Sequence, residues 1–162
     1  MKTGSKIALG CGGSLIFTAL AIVGLVLLVN AKKDEYNERA IPFFETCIPE
    51  LSSWDYARFE QYWAVEVIEG IERAQMEKLF ATYSKLGKLR SHEEPQFKGV
   101  ATSTNNPYLS SVTYSIQAEY ENGSALITCI LVPVKDDALK VWNLQINSDV
   151  FLEAIEELKN LE

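Results

Sequence analysis

Residues that carry acid–base, nucleophilic or metal chemistry are scarce in this chain. It has a single histidine, His92, which lies in the charged stretch RSHEEPQF, and three cysteines. Cys11, Cys47 and Cys129 form no CxxC pair and have no metal-ligand spacing. One histidine in such a stretch cannot supply a Ser-His-Asp arrangement, and no glycine-rich phosphate loop follows a predicted strand. We therefore expect no cofactor and no metal, and we interpret His92 as a surface-loop residue.

The chain also has fewer basic than acidic residues. Lys and Arg number 15 against 22 Asp and Glu, which gives a formal net charge of −7. Nucleic acids and anionic lipid surfaces bind basic stripes, and the sequence contains none. The balance disfavours nucleic acid as a partner and predicts a solvated acidic surface. With 162 residues, of which 48% are hydrophobic, the chain has room for one domain with a core.

Residues 7–29 contain no charged side chain, and this segment predicts a membrane-spanning helix. At ~1.5 Å per residue such a helix would be roughly 34 Å long, and the hydrocarbon core of a bilayer is ~30 Å thick. Two alternatives stay open. The small residues at 29–31 could form a signal-peptidase site, although the apolar part of a cleaved signal peptide usually has only ~7–15 residues. The sequence ALGC, which ends at Cys11, loosely resembles a bacterial lipid-attachment motif behind a short apolar run.

The charges beside this segment do not decide its orientation, because two lysines precede it and two follow it. The very short N-terminal tail favours an N-terminus inside the cell, which would place the rest of the chain in the periplasm or outside the cell. We expect residues 1–31 to form a tail and a single-pass helix in the cell inner membrane. Residues 32–162 are expected to form one α+β domain.

The first part of this domain has helical patterns. A helix is predicted over residues 34–50, with Pro42 and Pro49 marking a start and an end. Ser52 or Ser53 is predicted to cap a second helix. The apolar side of that second helix would consist of Trp54, Ala57, Phe59 and Tyr62.

Two further helices are predicted, one before the strands and one after them. The first covers residues 72–86, where apolar residues recur at helical spacing and Gly87 follows as the C-terminal cap. The second is short and starts at Ser148 or Asp149. Its apolar side would consist of Phe151, Ile155, Leu158 and Leu161.

Two tight turns predict how three strands pair. The Asn-Gly pair at 122–123 is typical of a two-residue type I′ hairpin, and a second two-residue turn is predicted at 136–137. The predicted pairs across the first turn are Tyr120 with Ala125, Ala118 with Ile127, Ile116 with Cys129 and Tyr114 with Leu131. Those across the second are Leu131 with Trp142, Cys129 with Leu144 and Ile127 with Ile146.

Both registers place apolar side chains on one face of the sheet, and the helices are expected to cover it. Ser115, Gln117 and Glu119 would lie on the other face. A further strand is predicted near residues 97–103. The predicted inner face consists of Val112, Tyr114, Ile116, Ala118, Tyr120, Ile127, Cys129, Leu131, Trp142, Leu144 and Ile146.

Three stretches within this pattern resemble a known superfamily: LFATYSKLGKL at 79–89, AEYENGSALITCILV at 118–132 and ALKVWNLQINS at 138–148. Helices followed by a long-stranded meander with these turns resemble the nuclear transport factor 2-like (cystatin-like cone) superfamily, and within it small bacterial envelope proteins of unknown function. The resemblance covers roughly residues 34–150. It implies a strongly bent antiparallel sheet that wraps around helices and leaves a conical pocket.

In such a cone Tyr114, Tyr120 and Trp142 would stand in the pocket wall, where the tyrosines could donate hydrogen bonds to a ligand. The alternative is that all three are core residues, with the tyrosine hydroxyls at the rim. Enzymes of the superfamily are isomerases and dehydratases with a carboxylate or histidine inside the cone. The predicted inner face contains neither.

Three hypotheses for function follow. The first is a membrane-anchored envelope protein whose domain binds a protein or a small apolar ligand without catalysis. The second is an assembly subunit or homodimer, similar in layout to the anchored inner-membrane components of type IV secretion systems. The third is an isomerase- or dehydratase-like enzyme that uses Asp55 or Glu60. Cys47 and Cys129 could be two separate buried thiols, or could form a disulfide in an oxidising compartment.

Overall fold

The computed structural model of the protein describes residues 33–102, 110–135 and 138–152. The chain divides into two compact units, residues 1–36 and residues 37–162. The predicted membrane-spanning segment 7–29, the predicted turn at 136–137 and most of the predicted terminal helix lie outside the described residues.

Helices come first along the chain and strands follow. The described helices are α1 (33–51), α2 (Tyr56–Phe59), α3 (Val65–Gly70) and α4 (Arg73–Tyr83), with 3-10 turns at Glu60–Tyr62 and Ser84–Leu86. The strands are β1 (Leu89–His92), β2 (Gln96–Thr102), β3 (Ser110–Tyr120), β4 (Ser124–Pro133) and β5 (Leu139–Asn147). Helical residues begin again at 150–152.

Helix α1 continues through both of its prolines, so the prediction that they mark its start and end is wrong. Pro42 and Pro49 are exposed and lie within the helical range. A proline inside a helix removes one N–H donor and crowds the carbonyl four residues earlier. Burial of the opposite face offsets this cost, because apolar residues recur there at helical spacing. These buried residues are Ala40, Phe44, Cys47, Ile48 and Leu51.

The second helix starts later than predicted, and neither Ser52 nor Ser53 caps it. Its N-cap is Asp55, whose Oδ1 accepts a hydrogen bond from the Ala57 backbone N–H at 3.0 Å. Trp54 precedes this cap with a φ of 58°, which is rare for a bulky residue. Its indole N–H donates to the Gly87 carbonyl at 2.7 Å. This bond holds the residues between α1 and α2 against the end of the helical half, which here means residues 33–87.

The prediction of a helix over residues 72–86 is confirmed by α4 and the 3-10 turn that follows it. Gly87, with a φ of 78°, ends this run. Helix α3 was not predicted, because in its six residues only Val67 is buried and no apolar stripe is visible. The predicted strand near 97–103 is confirmed as β2.

The five strands form one antiparallel sheet in the order β1-β3-β4-β5, and β2 also pairs with β3. Strands β1 and β2 lie one after the other along the same edge of β3, since β1 pairs with 118–120 and β2 with 110–115. Strand β1 was not predicted. His92 is its last residue, opposite Ala118, so the interpretation of His92 as a loop residue is wrong.

The first hairpin keeps the predicted face but not the predicted pairs. Ala118 lies opposite Ala125 and Ile116 opposite Ile127, which is a shift of two residues. The Tyr120 N–H donates to the Gly123 carbonyl at 3.0 Å, so the turn is centred on residues 121–122 instead of 122–123. Because side chains alternate with a period of two, a shift of two leaves every side chain on its predicted face.

Across the second turn, the predicted pairs far from the turn are confirmed, and the predicted pair of Leu131 with Trp142, nearer the turn, is wrong. Strands β4 and β5 pair Ile127 with Ile146 and Cys129 with Leu144, as predicted, but a bulge follows. Beyond it Leu131 lies opposite Val141 instead of Trp142. The predicted inner position of Trp142 is therefore wrong: Val141 is fully buried and Trp142 is 39% exposed. A bulge inserts one residue and turns its neighbours to the other face.

The remaining predicted inner-face residues of β3 and β4 are buried, and Leu144 of β5 is half-buried. Three ring contacts join the helical segments to one another and to this face. Phe44 lies 5.3 Å from Tyr114 between ring centroids, Trp54 lies 5.3 Å from Tyr120, and Phe59 lies 5.5 Å from Phe80. The fold is therefore α+β, with helices packed against a bent antiparallel sheet, as the sequence predicts.

Candidate functional site

Tyr114, a predicted pocket-wall residue, lies fully buried between α1 and the sheet. Its hydroxyl donates to Asn37 Oδ1 at 2.8 Å. The rings of Phe44 and Phe97 pack against it edge-on, with centroids 5.3 and 5.8 Å away. The phenol thus has a protein partner for its polar end and aromatic neighbours for its ring.

Tyr120 has a similar environment at the other end of β3. It is 2% exposed, its hydroxyl lies 3.1 Å from Ser52 Oγ, and its ring packs on Trp54. Burial raises the pKa of Tyr120 above its ordinary value, and the hydrogen bond with Ser52 lowers it by less. At neutral pH the residue is a neutral phenol that links β3 to the segment after α1.

The structure does not bring the three predicted pocket-wall residues together. Tyr114 and Tyr120 share the inner face but stand six positions apart, which is roughly 20 Å along a strand. Trp142 lies at the bulge of β5, with 39% of its surface exposed.

The carboxylates that were candidates for acid–base chemistry have structural partners. Asp55 is exposed and caps α2. Glu60 accepts from the Arg73 guanidinium at 3.2 Å, and Arg73 also binds Glu77 at 2.9 Å. In the part of the chain that the structure describes, Ser115 is the one buried polar residue, and no three His, Cys, Asp or Glu side chains form a metal-binding group.

The outward face of the sheet carries two rows of side chains across neighbouring strands. The strand pairing aligns Gln96, Ser115, Thr128 and Gln145 in the first row, and Gln117, Leu126 and Asn147 in the second. The first row offers only neutral hydroxyl and amide groups, which donate and accept hydrogen bonds without carrying charge. In the second row Leu126 is 40% exposed among polar neighbours.

Apart from Gln145, the residues of these rows line a groove made of two adjoining concavities, here called the outer-face groove. The first has a volume of about 480 Å³ and is lined by Glu93, Gln96, Lys98, Ser115, Gln117, Leu126 and Thr128. The second, of about 460 Å³, shares Gln117 and Leu126 with the first and extends to Phe151 and Leu152. Both volumes fall within the ~300–1,000 Å³ of ligand-binding clefts.

The far end of the outer-face groove is held by the first turn of the terminal helix. Ser148 Oγ donates to the Ser124 carbonyl at 2.7 Å and accepts from the Val150 N–H at 3.3 Å. The predicted start at Ser148 or Asp149 therefore agrees with the structure to within two residues. Leu152, which lines the groove here, is 62% exposed.

The sequence had already placed Ser115 and Gln117 on the outward face, but nothing in it indicated a groove. The first concavity depends on Glu93, which directly follows the unpredicted strand β1, and on the pairing of Gln96 with Ser115 across β2 and β3. What the sequence does show is that the outward positions of β3 from 111 to 117 all carry neutral polar side chains, namely Ser111, Thr113, Ser115 and Gln117.

The architecture defines the class of the domain as α+β, with helices on a bent sheet. Comparisons with known proteins do not assign the chain to a family. No protein-family model matches the chain, and no curated protein has significant sequence similarity to it. Among residues 33–102, 110–135 and 138–152, no helix is long and apolar enough to cross a membrane.

Proposed function

We propose that the protein is a single-pass, membrane-anchored envelope protein whose domain binds a protein partner through the outer-face groove, without catalysis. The fold proposed for the domain is the nuclear transport factor 2-like cone. Anchoring rests on the uncharged segment 7–29, whose length matches a bilayer core. Catalysis is not part of the proposal because Asp55 and Glu60 already have partners, in a helix cap and an ion pair.

The observation that carries the proposal is the contrast between the two faces of the sheet. On the inner face, Tyr114 and Tyr120 are buried and their hydroxyls are bonded to the protein itself. On the outer face, hydrogen-bonding side chains, most of them neutral, line the groove beside Leu126 and Leu152, both exposed. Exposed apolar side chains with a polar rim are typical of protein-interaction surfaces.

Site-specific photocrosslinking in the native membrane tests the groove. A photoreactive residue in place of Leu126 is expected to give one adduct of defined mass. The same residue in place of Lys78, an exposed position on α4, should give none and is the matched control. Equal labelling from both positions, or none from Leu126, would contradict the proposal. An adduct of twice the chain's mass would identify the partner as a second copy.

Membrane anchoring has its own test, which does not depend on the partner. The protein is expected in the membrane fraction, with an N-terminal sequence that retains residues 7–29. A soluble mature chain that begins at Lys32 would show instead that the segment is a cleaved signal peptide, while leaving the groove proposal intact.

A second candidate function, an assembly subunit of an envelope complex, is favoured by one feature of the helical half. Val65, Ile68 and Ile71, on and just after α3, are 62%, 37% and 40% exposed. The Ala64 N–H, next to this helix, donates to the Val141 carbonyl at 2.9 Å, so the helix starts beside the edge of β5. Ile68→Arg is expected to abolish self-association in sedimentation experiments if the protein assembles through α3, whereas Leu126→Arg is not.

A further inference from the structure

Two buried cysteines lie on the facing surfaces of α1 and the sheet, Cys47 on the helix and Cys129 on β4. Cys47 lies on the buried face of α1, with 2% of its surface exposed. Phe44, one helical turn earlier on the same face, packs its ring on Tyr114, with 5.3 Å between centroids. Residues three apart are neighbours on a helix surface, so Cys47 lies over the part of the sheet next to Tyr114.

Cys129 occupies that part of the sheet. It belongs to β4, is 2% exposed, and stands directly opposite Tyr114 in the β3–β4 pairing. Burial raises the pKa of the Cys47 thiol, and the charge of a thiolate at Cys129 would raise it further. Both residues have free thiols in the structure.

We propose that Cys47 and Cys129 form a disulfide that joins α1 to β4 when the protein meets a disulfide oxidant. The site goes beyond the proposed function and needs no partner protein. The bond would close a loop of roughly 80 residues, and constraining a long loop in the unfolded chain is the main way a disulfide stabilises a fold. The protein would thus have a reduced form and a more stable oxidised form.

The chemistry is two consecutive thiol–disulfide exchanges. The Cys47 thiolate attacks one sulfur of glutathione disulfide, the other glutathione leaves as a thiolate, and a mixed disulfide remains. The Cys129 thiolate then attacks the Cys47 sulfur and expels the second glutathione. Two cysteine thiols are oxidised, one glutathione disulfide is reduced to two thiols, and the two protons pass through solvent to the departing thiolates.

Burial makes this reaction depend on a local opening of α1 away from the sheet. Only the thiolate reacts, and burial holds the pKa of Cys129, like that of Cys47, above its ordinary value. Oxidation is therefore expected to be slow in the closed domain. It should become faster with rising pH and with urea concentrations below the unfolding transition.

The test uses the full chain in mild detergent. The protein is incubated with glutathione disulfide, alkylated with N-ethylmaleimide in denaturant and digested for mass spectrometry. The expected result is one alkylated thiol, Cys11, and a cross-linked peptide pair that contains Cys47 and Cys129. A Cys11→Ala variant should give the same pair and no alkylated thiol. Cys47→Ala should give no pair, which identifies the linkage.

Two results would overturn the proposal. One is three alkylated thiols after incubation in sub-denaturing urea. The other is glutathione adducts that persist on Cys47 or Cys129 without a linked peptide. The oxidised protein should also melt roughly 10 °C higher than the reduced protein. A linked protein that melts at the same or a lower temperature would show that the native packing does not accommodate the bond.

Discussion

Replacing Gly87 with alanine tests the contact that positions the β3–β4 hairpin. Gly87 has a φ of 78°, and a Cβ at this position would lie 2.9 Å from the Cβ of Glu121. Its neighbours hold the turn, because the Asn122 N–H donates to the Leu86 carbonyl and the Glu121 N–H donates to the Lys88 carbonyl, both at 3.0 Å. Any displacement of Gly87 therefore acts directly on the turn.

Two effects set the size of the expected loss. A non-glycine residue held in a backbone conformation that only glycine readily adopts costs of order 1–3 kcal/mol. The new Cβ also overlaps the stem of Glu121, and overpacking typically costs ~1–3 kcal/mol. Because part of the overlap relaxes as the turn moves, we expect Gly87→Ala to lower the free energy of unfolding by about 2–4 kcal/mol. A domain of this size has a total of ~5–15 kcal/mol.

Urea unfolding of the full chain in mild detergent, followed by tryptophan fluorescence, measures this loss. With a slope of ~2 kcal/mol per molar, the midpoint should fall by about 1–2 M. Gly70→Ala is the matched control, since Gly70 ends α3 and a Cβ there would meet nothing within 4 Å. It should leave stability unchanged or raise it by up to ~1 kcal/mol. Equal midpoints for the two variants would refute the argument.

Three other predictions, made with four substitutions, have definite expected outcomes. Phe44→Ala, at a fully buried position, should lower the free energy of unfolding by ~3–5 kcal/mol in urea unfolding. Trp142→Ala should lower it clearly less, because Trp142 is 39% exposed. A larger loss for Trp142→Ala than for Phe44→Ala would contradict the bulge in β5. Burial raises the pKa of Tyr120 in the folded state, whereas a tyrosine in the unfolded chain loses its proton at about pH 10. As pH rises above ~10 the unfolded chain therefore loses this proton first, and the stability of the folded state should fall. Tyr120→Phe should weaken this alkaline loss, and an unchanged pH profile of the melting temperature would show that Tyr120 does not contribute. Pro42→Ala should stabilise α1 by ~1–3 kcal/mol with increased helical circular dichroism, and a loss of stability would mean that the proline has a role beyond its helix.

The buried face of the sheet could be predicted from the sequence because it depends only on the parity of the strand register. Ile116, Ile127 and Cys129 are buried as predicted, although the first hairpin is shifted by two residues. The position of the turn could not be predicted from local preference. Asn122 does not adopt a positive φ; its side chain donates to the Lys85 carbonyl at 2.8 Å instead. This tertiary contact outweighs the Asn-Gly preference for a type I′ turn.

The bulge at Trp142 could not be predicted for a similar reason. The Ala64 N–H donates to the Val141 carbonyl, so a segment distant in sequence pairs with β5 beside the bulge. The outer-face groove also depends on contacts distant in sequence, because β1 and β2 must share one edge of β3. Alternation of residues along one strand carries no information about which neighbour forms the wall of a groove.

Binding at the inner tyrosines would require a change in the folded structure, whereas binding at the outer-face groove would not. Tyr114 and Tyr120 each connect β3 to the helical half through a hydroxyl contact, with Asn37 and Ser52 respectively. A ligand that displaced either hydroxyl would leave a polar group without its partner, which costs ~1–3 kcal/mol when the group stays buried. It would also have to separate aromatic rings packed about 5.3 Å apart. Binding at Leu126 requires neither change, because that side chain is already exposed in the folded protein. Of the two faces, the outer one can therefore bind a partner while the core stays intact.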